Sequence, residues 1–341
     1  MKIAILGPVI TDQYFGGVAT FDEALAKAFQ KLGHDVSILT SQKGSITNKK
    51  IKIKQTKKSE ISNIVNENNT DLTIASLQYG TSLKSIQTGK KVYFLHGFFN
   101  MQSYGIAKTL AATALTQKMT SYADCVIANS SFTAAINQRI WNIHVDGVAH
   151  LAVDEDFLSK VNRIGSRTPD EQKRVLFVGR LAVSKHVERI IQAVSLMSKN
   201  SYELIIAGDG PEKQNLLHKA KKLNVNAKFI GRVEHDQISS IYRRCGVFVS
   251  LSESEPYGLT YAEALLSGCQ IVCPSTGGQV EYLMKYSDRT HFIDVLDPES
   301  IARGITDGLK AKEAAVDNNM ISKFSYSETA NRILTLVSNK Y

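Results

Sequence analysis

The sequence lacks any apolar run long enough to cross a lipid bilayer, for which about 20 residues are needed. The opening MKIAILGP has only four apolar residues before Gly7 and Pro8, too few for the core of a signal peptide. The longest other candidate starts at Ile106 and is interrupted by Lys108 and Lys118. We therefore expect a cytoplasmic protein that is at most peripheral to a membrane, such as the inner face of the cell membrane.

Cysteine is scarce, and its spacing excludes paired CxxC motifs. Each of the four cysteines lies in or beside an apolar run that resembles a strand. This placement predicts buried, reduced thiols. The four residues are Cys125, Cys245, Cys269 and Cys273.

Low-complexity segments and short internal repeats are also missing. With 43% hydrophobic and 21% charged residues, the composition is that of a soluble globular protein. A chain of 341 residues is longer than one hydrophobic core usually supports. We therefore expect two domains of ordinary size.

Positive charge is in excess and is unevenly placed. Residues 1–167 carry 19 Lys and Arg against 12 Asp and Glu, whereas residues 168–341 carry 22 against 20. A basic first half favours an anionic partner, and a membrane surface, a phosphorylated lipid carrier or a nucleic acid would each qualify. Nucleic acid is the weakest of the three, because the chain has no aromatic-and-glycine recognition motif.

Short β-rich runs alternate with helical patterns, which predicts parallel sheets with crossover helices. A helix is expected from about Val18 to Leu32, with Gly33 as its left-handed cap. The polar stretch 159–174 contains Gly165 and separates two such series. The predicted domains are the N-terminal residues 1–165, the C-terminal residues 166–324 and a final helical segment, 325–341.

The segment SESEPYGLTYAEALLSGCQIVCPSTGG, residues 252–278, has the most specific pattern. Glu255 precedes a predicted helix, and Glu263 lies eight positions later, about two turns along. The free amides at the start of that helix favour an anion such as a diphosphate. Alternatively, the two carboxylates are solvated charges near a helix end. The residues of the first turn are Gly258, Leu259 and Thr260.

A second constellation, FVGRLAVSKH, places Gly179, Arg180 and Lys185 after a predicted strand. Ligands bind outside the carboxyl ends of strands in parallel α/β sheets, and two cations there could balance a leaving diphosphate. The alternative is that both are ordinary surface cations. A third strand end, IIAGDGPEKQ, brings Gly208 into a turn that opens a helix, which by itself is a weak indication.

Taken together, FVGRL with Lys185, AGDGP, FIGRV and the E-x7-E pair resemble the family four glycosyltransferases over nearly the whole chain. The resemblance implies the α/β GT-B fold, in which two Rossmann-like domains face each other across a cleft. It also implies transfer from a nucleotide sugar with retained anomeric configuration and no protein nucleophile. In this family Arg180 and Lys185 would hold the donor diphosphate, Glu263 the ribose and Glu255 the transferred sugar.

The N-terminal half carries softer matches to the same family. Gly16 and Gly17 resemble its glycine-rich first loop, where backbone could approach donor phosphate or acceptor, although a plain tight turn is an equal alternative. His96 matches a histidine beside the donor sugar, with a structural strand-end histidine as the alternative. Ser130 matches a position facing the cleft and is also a credible helix N-cap.

Three segments of the chain differ from the family pattern or need a separate interpretation. His150 to Asp154 reads HLAVD where members commonly have Asn and Gly before Val-Asp, so the hinge is uncertain. Residues 154–156 form a DxD string that could bind a metal, but we read it as opening a helix because the cations make a metal unnecessary. Tyr326 stands where relatives often carry tryptophan before a helix that crosses back onto the first domain.

Two N-terminal segments could bear on the acceptor. Lysines alternate with isoleucines in KKIKIKQTKK, residues 49–58, which fits either an anion-binding strand or a lysine-protected edge strand. HGFFNMQSY carries Phe98, Phe99, Met101 and Tyr104 after His96, either as core or as a surface for a lipid tail or sugar. We prefer a cell-surface glycan or polyprenyl-linked acceptor, with peripheral membrane association.

The expected partners are therefore a nucleotide-sugar donor, with UDP preferred by resemblance, and a glycan or lipid-linked acceptor. No cofactor or metal is expected. Two other functions fit the same fold: a nucleotide-sugar epimerase, and a non-catalytic partner that stabilises an active glycosyltransferase.

Overall fold

The computed structural model describes residues 1–14, 16–161, 165–198, 201–313 and 315–340. The chain folds into two compact units. One comprises Met1–Ala152 with Ser325–Tyr341, and the other comprises Val153–Phe324. Residues 162–164 of the predicted linker lie outside the described residues.

The first unit is built on a parallel sheet of seven strands in the order β3-β2-β1-β4-β5-β6-β7. Its central strands are almost entirely apolar because both faces of a parallel sheet are covered. Ile3 pairs with Val36 on one side and with Leu72 on the other. The strands are β1 (Lys2–Leu6), β2 (Asp35–Thr40), β3 (Lys52–Gln55), β4 (Leu72–Ser76), β5 (Lys90–Leu95), β6 (Cys125–Ala128) and β7 (Gly147–Val148).

Helices α1 to α5 connect these strands. The first begins after Gly16 and buries Phe21, Leu25 and Phe29, which recur every four residues along one face. It ends next to Gly33, whose φ of 84° confirms the predicted left-handed cap. The helices are α1 (Gly17–Lys31), α2 (Ile61–Glu67), α3 (Met101–Tyr104), α4 (Ile106–Thr120) and α5 (Ser131–Arg139).

Strand β3 lies at the edge of this sheet. Ile53 is half-buried against the core, whereas Lys52 and Lys54 are exposed. The lysines thus cover an unpaired strand edge, which discourages pairing with other chains. The edge-strand interpretation of this segment is confirmed.

The second unit contains a parallel sheet of six strands in the order β10-β9-β8-β11-β12-β13. Its core is formed by residues such as Phe177, Leu204 and Val249, all fully buried. The strands are β8 (Arg174–Val178), β9 (Glu203–Ala207), β10 (Ala227–Gly231), β11 (Val247–Val249), β12 (Gln270–Pro274) and β13 (Thr290–Ile293). The helices are α6 (Glu155–Val161), α7 (Pro169–Gln172), α8 (Val187–Val194), α9 (Lys213–Lys222), α10 (His235–Arg243), α11 (Leu259–Leu266), α12 (Val280–Leu283), α13 (Pro298–Lys310) and α14 (Asn318–Lys323).

The second unit begins before the boundary predicted at residue 166. Helix α6 packs on α10, and the rings of Phe157 and Tyr242 lie 5.9 Å apart. The Val153 amide also donates to the Phe324 carbonyl at 2.9 Å. Because these contacts precede the polar linker, composition alone placed the boundary too late.

The last helix, α15 (Tyr326–Asn339), belongs to the first unit. It packs along α1, with the rings of Tyr326 and Phe21 5.9 Å apart and Ile333 fully buried. The Thr329 hydroxyl donates to the His150 carbonyl at 2.8 Å. The prediction that a final helix returns to the N-terminal half is confirmed.

The four cysteines are buried and form no disulfide, as the sequence predicts. Burial raises the pKa of the Cys125 and Cys269 thiols to about 11, which keeps both protonated near neutral pH. No helix in the described part of the chain is long and apolar enough to span a membrane.

Candidate functional site

In the second unit, the loops after two adjacent strands bring opposite charges together. Lys185 follows β8 in a short 3₁₀ turn, and Glu255 follows β11, the neighbouring strand. The Lys185 ammonium lies 2.8 Å from a Glu255 carboxylate oxygen and 3.4 Å from the Ser252 hydroxyl. The two charged side chains retain only 30% and 20% of their surface exposure. Neither is therefore an ordinary surface charge, which was the alternative interpretation.

Arg180 differs from Lys185 although both leave β8. Its side chain is exposed, and no ion pair to its guanidinium occurs within the described ranges. An exposed guanidinium with five donors suits a phosphate group. The carboxyl end of β8 thus carries one paired and one unpaired cation.

Helix α11 begins at the same edge of the sheet. Gly258 precedes it with φ 86° and ψ 61°, and no side chain caps the helix. A Cβ at this position would lie 2.7 Å from the Tyr261 ring, so only glycine fits. The Tyr282 hydroxyl donates to the Gly258 carbonyl at 2.7 Å, which fixes the turn. The first amides of α11, at Leu259 and Thr260, therefore lack intrahelical partners and can bind an anion.

Glu263 lies further along α11 and is only partly exposed. Burial raises the pKa of its carboxyl to about 7, a rise that the nearby Tyr242 hydroxyl opposes and the charge of Asp154 reinforces. A solvated charge at a helix end would not show this rise. The partial burial of Glu263 favours a binding role over the alternative of a solvated charge.

Gly179 and Gly208 end β8 and β9, where the two backbones approach closely. A Cβ on Gly208 would lie 1.8 Å from the Gly179 carbonyl oxygen. Gly208 also donates its amide hydrogen to the Gly231 carbonyl at 2.7 Å. Backbone packing thus explains Gly208, and contact of either glycine with a ligand stays a prediction.

In the first unit, polar side chains gather at the carboxyl ends of β4 and β5. Ser76 ends β4 and His96 follows β5, and the Ser76 hydroxyl oxygen lies 3.0 Å from His96 Nε2. The Ser76 hydroxyl also contacts Asp22 Oδ1 of α1 at 3.1 Å. The His96 ring packs against Phe21 and Phe94, with centroid distances of 4.8 and 4.9 Å.

These surroundings hold His96 in its neutral form. Burial lowers the pKa of the imidazole to about 3, so the ring is uncharged near neutral pH. A neutral imidazole offers one hydrogen-bond donor and one acceptor. His96 is therefore suited to orient a hydroxyl group rather than to supply a charge.

Gly16 and Gly17 form the start of α1. Gly16 is the N-cap, and a Cβ there would lie 2.7 Å from the Tyr14 hydroxyl. A Cβ on Gly17 would meet no described atom within 4 Å. Packing thus accounts for one glycine, whereas the second faces open space where a ligand could approach the backbone.

Ser130 is the N-cap of α5, where its hydroxyl accepts a hydrogen bond from the Thr133 amide at 2.9 Å. This confirms the capping interpretation. Ser130 is fully buried, and its predicted contact with substrate stays a prediction.

The DxD string opens α6, as predicted. The Asp156 amide donates to Asp154 Oδ1 at 2.7 Å, and the helix begins at Glu155. Across the described residues, no group of three or more histidine, cysteine or acidic side chains is arranged to hold a metal ion.

Several residues of these two sites were not predicted. Ser252 contacts Lys185, Tyr282 contacts the Gly258 carbonyl, and Tyr242 lies near Glu263. Ser76 contacts His96 directly, and Asp22 contacts it through Ser76. Asp22 was recognisable in principle, because it lies beside Phe21 on the apolar face of α1. The tyrosines gave no such indication, since buried aromatic residues are common in any core.

The two halves of the sequence match known families separately. Residues 159–323 match the family described as glycosyl transferases group 1, and residues 10–129 match the starch synthase catalytic domain family. The segment that matches glycosyl transferases group 1 contains Arg180, Lys185 and the Glu255–Glu263 pair.

Curated relatives align over part of the chain. The uncharacterized glycosyltransferase MJ1607 of Methanocaldococcus jannaschii is 33% identical over 139 residues, 40% of this chain and 35% of that protein. GDP-mannose-dependent alpha-mannosyltransferase of Mycolicibacterium smegmatis is 32% identical over 193 residues, 53% of this chain and 47% of that protein. The chain thus spans less than half the length of these two relatives.

Among solved structures, HepE of Anabaena, crystallised with UDP and glucose, is similar over the whole chain. The TM-score is 0.77 at 17% identity, covering 99% of this chain and 100% of HepE. At this identity the likeness concerns the fold. The two units are therefore the two Rossmann-like domains of a GT-B fold.

Proposed function

We propose that the chain transfers a sugar from a nucleotide diphosphate sugar to a hydroxyl group, with retention of anomeric configuration. The observation that carries this proposal is the juxtaposition of the Lys185–Glu255 pair with the uncapped start of α11 and the exposed Arg180. Cations and free amides bind a diphosphate, and a carboxylate beside them binds sugar hydroxyls.

Each charged group has a distinct role in this proposal. Arg180 and Lys185 bind the donor diphosphate together with the first amides of α11. Glu263 accepts hydrogen bonds from the ribose, and Glu255 accepts them from the transferred sugar. If the Lys185–Glu255 ion pair stays intact when the donor binds, the diphosphate would lie beside the lysine and the sugar beside the glutamate.

The same residues support the chemistry of transfer. Negative charge develops on the diphosphate as the glycosidic bond breaks, and fixed cations that are aimed at it lower the barrier. The acceptor then attacks from the face that the diphosphate leaves, so no protein nucleophile is required. On this account Arg180 and Lys185 replace a metal ion, and the reaction needs no cofactor.

UDP is the preferred nucleotide. HepE was crystallised with UDP, which favours a uridine carrier for a chain of the same fold. The mycobacterial relative is named as dependent on GDP-mannose, so a guanosine carrier is the main competitor. The identity of the base is decided by the binding experiment below.

We place the acceptor at a membrane surface, as a cell-surface glycan or a polyprenyl-linked intermediate. Helices α3 and α4 expose apolar side chains beside Lys108 and Lys118. An apolar surface flanked by lysines is typical of proteins that lie on anionic lipid. The exposed apolar side chains are Met101, Tyr104, Ile106, Leu110 and Leu115.

The donor proposal is tested by thermal shift with UDP-, GDP-, ADP- and dTDP-sugars. A ligand that binds only the native state raises the melting temperature, so a donor should produce a clear rise. Lys185→Ala should abolish that rise. Lys173→Ala is the matched control, since Lys173 forms an exposed ion pair with Asp170 at the opposite end of β8.

One responding nucleotide sugar, with loss of response in Lys185→Ala alone, supports the donor site. The absence of any response in folded protein would favour a non-catalytic partner instead. Conversion of a donor sugar into its epimer without acceptor would identify an epimerase. Loss of the response in Lys173→Ala as well would show that the effect is not specific to the site.

A further inference from the structure

A buried chain of three polar side chains links helix α1 to His96. Asp22 Oδ1 lies 3.1 Å from the Ser76 hydroxyl, which in turn lies 3.0 Å from His96 Nε2. Asp22 and Ser76 are both fully buried, and His96 is partly exposed. The chain therefore leads from the interior of the first unit to its surface at the end of β5.

The direction of these hydrogen bonds follows from the carboxyl group. Asp22 Oδ1 is an acceptor, so the single hydrogen of the Ser76 hydroxyl is donated to it. The Ser76 oxygen is then free only to accept, and His96 Nε2 must carry the hydrogen that it receives. His96 is thereby held with Nε2 protonated and Nδ1 as an acceptor.

The backbone around His96 is fixed by two buried amides. Asn129 Nδ2 donates to the His96 carbonyl at 2.8 Å, and Asn137 Nδ2 donates to the Gly97 carbonyl at 3.1 Å. Phe21 and Phe94 enclose the ring itself. Position, orientation and tautomer of His96 are therefore all determined by neighbouring groups.

The Asp22 side chain lowers the stability of the fold. Its second oxygen, Oδ2, has no hydrogen-bond partner among the described residues and lies where a Cβ on Gly7 would come within 1.8 Å. Glu23, the adjacent acid, turns away to accept from the Ile10 amide at 2.7 Å. An incompletely satisfied buried carboxyl lowers stability compared with a small apolar side chain.

We propose that Asp22 is a positioning residue that acts through Ser76 to fix the tautomer of His96. The Nδ1 atom of His96 then accepts a hydrogen bond from a hydroxyl of a substrate bound to the first unit. Only this last step rests on the proposed glycosyl transfer; the control of the tautomer does not. Burial raises the pKa of Asp22, and a neutral Asp22 keeps this direction when its proton is on Oδ2, so that Oδ1 still accepts from Ser76.

The tautomer is measured directly by long-range ¹H–¹⁵N correlation spectra of ¹⁵N-labelled protein. The His96 signals among the eight histidines are assigned from their loss in His96→Gln. Wild type should show the hydrogen on Nε2. In Asp22→Ala the freed Ser76 hydroxyl can donate to Nε2, so a form with the hydrogen on Nδ1 should appear.

Two further variants separate positioning from folding. Ser76→Ala removes the central group of the Asp22–Ser76–His96 hydrogen-bond chain and should also change the tautomer population. It replaces Asp22→Ala in the test if Asp22→Ala does not fold. Thr73→Val is the matched control, because Thr73 is buried on the same strand and its hydroxyl has no partner among the described residues. It should keep the wild-type spectrum.

Melting temperature and turnover complete the test. Asp22→Ala should melt no lower than wild type, yet its kcat for cleavage of the nucleotide sugar that binds best should fall about 10²-fold with little change in KM. An Nδ1-protonated His96 in wild type, or an unchanged tautomer in Asp22→Ala, would overturn the proposal. Absence of turnover in wild type would contradict the glycosyl transfer but leave the tautomer result intact.

Discussion

Lys185 and Glu255 are each partly buried and each other's main charged partner. Under the proposed function donor binding requires both, because the ammonium would contact the diphosphate and the carboxylate would contact the sugar. Removing either one also leaves the other charge without its partner. Under the proposed function their main contribution is to binding and catalysis.

We predict that Lys185→Ala and Glu255→Ala each lower kcat/KM for the donor by about 10²-fold or more, since each removes a charge that acts on the reacting group. The melting temperature of either variant should change little. Steady-state kinetics with the donor found by thermal shift measures the first effect, and Lys173→Ala should retain wild-type kinetics. Normal turnover in both site variants would show that the donor site has been placed wrongly.

The environment of Glu263 predicts how the stability of the protein depends on pH. Its folded-state pKa of about 7 is higher than its ordinary value of 4.5, so the folded protein holds a proton that the unfolded chain has lost. Stability contributed by this group is therefore complete below pH 4.5 and decreases as the pH rises towards 7. Above pH 7 the buried carboxyl is charged, and its burial lowers the stability of the folded protein.

Glu263→Gln should remove this dependence. Relative to wild type, the variant should gain on the order of 1–3 kcal/mol in unfolding free energy between pH 5 and pH 8. Urea unfolding of both proteins at several pH values measures the difference. A constant difference across that range would mean that the Glu263 carboxyl titrates normally and is not buried as described.

At the scale of secondary structure, the helices α1 and α11 both begin next to a glycine. Helix α11 begins at Gly258 and α1 begins after Gly16, and no side chain caps either helix. The two differ in how tightly the glycines are packed. Gly258 is required by its left-handed backbone and by Tyr261, whereas a Cβ on Gly17 would meet no described atom within 4 Å.

Gly17→Ala separates ligand contact from folding. Alanine is a better helix former than glycine, so the variant should be as stable as wild type or more stable by up to about 1 kcal/mol. If a substrate approaches the backbone there, the added methyl group should raise KM for donor or acceptor severalfold. Gly165→Ala, which also introduces a methyl group into open space, is the control, and an unchanged KM in Gly17→Ala would assign the glycine to the turn alone.

For the molecule as a whole, the sequence is sufficient to predict two α/β units and the charged residues of the second. Apolar strands and glycine caps such as Gly33 are local features, so both can be read directly from the chain. Arg180, Lys185 and Glu255 follow strand ends, and parallel strands bring their ends to one edge. Their proximity is therefore a consequence of topology.

Features that depend on tertiary packing were not predictable in this way. The second unit begins at Val153 because Phe157 packs on Tyr242, a contact between residues far apart in the sequence. The Asp22–Ser76–His96 chain likewise joins three separate elements. Neither contact leaves a periodic pattern or a composition change along the chain.

The central claim is that this chain cleaves a nucleotide sugar and retains its anomeric configuration. It is tested most directly by following, by ¹H NMR, the sugar first formed from the nucleotide sugar that raises the melting temperature most. From a donor with an α-linked sugar, the α anomer should form first, and Lys185→Ala should form none. Initial formation of the β anomer, or no product in the presence of a bound donor, would contradict the account.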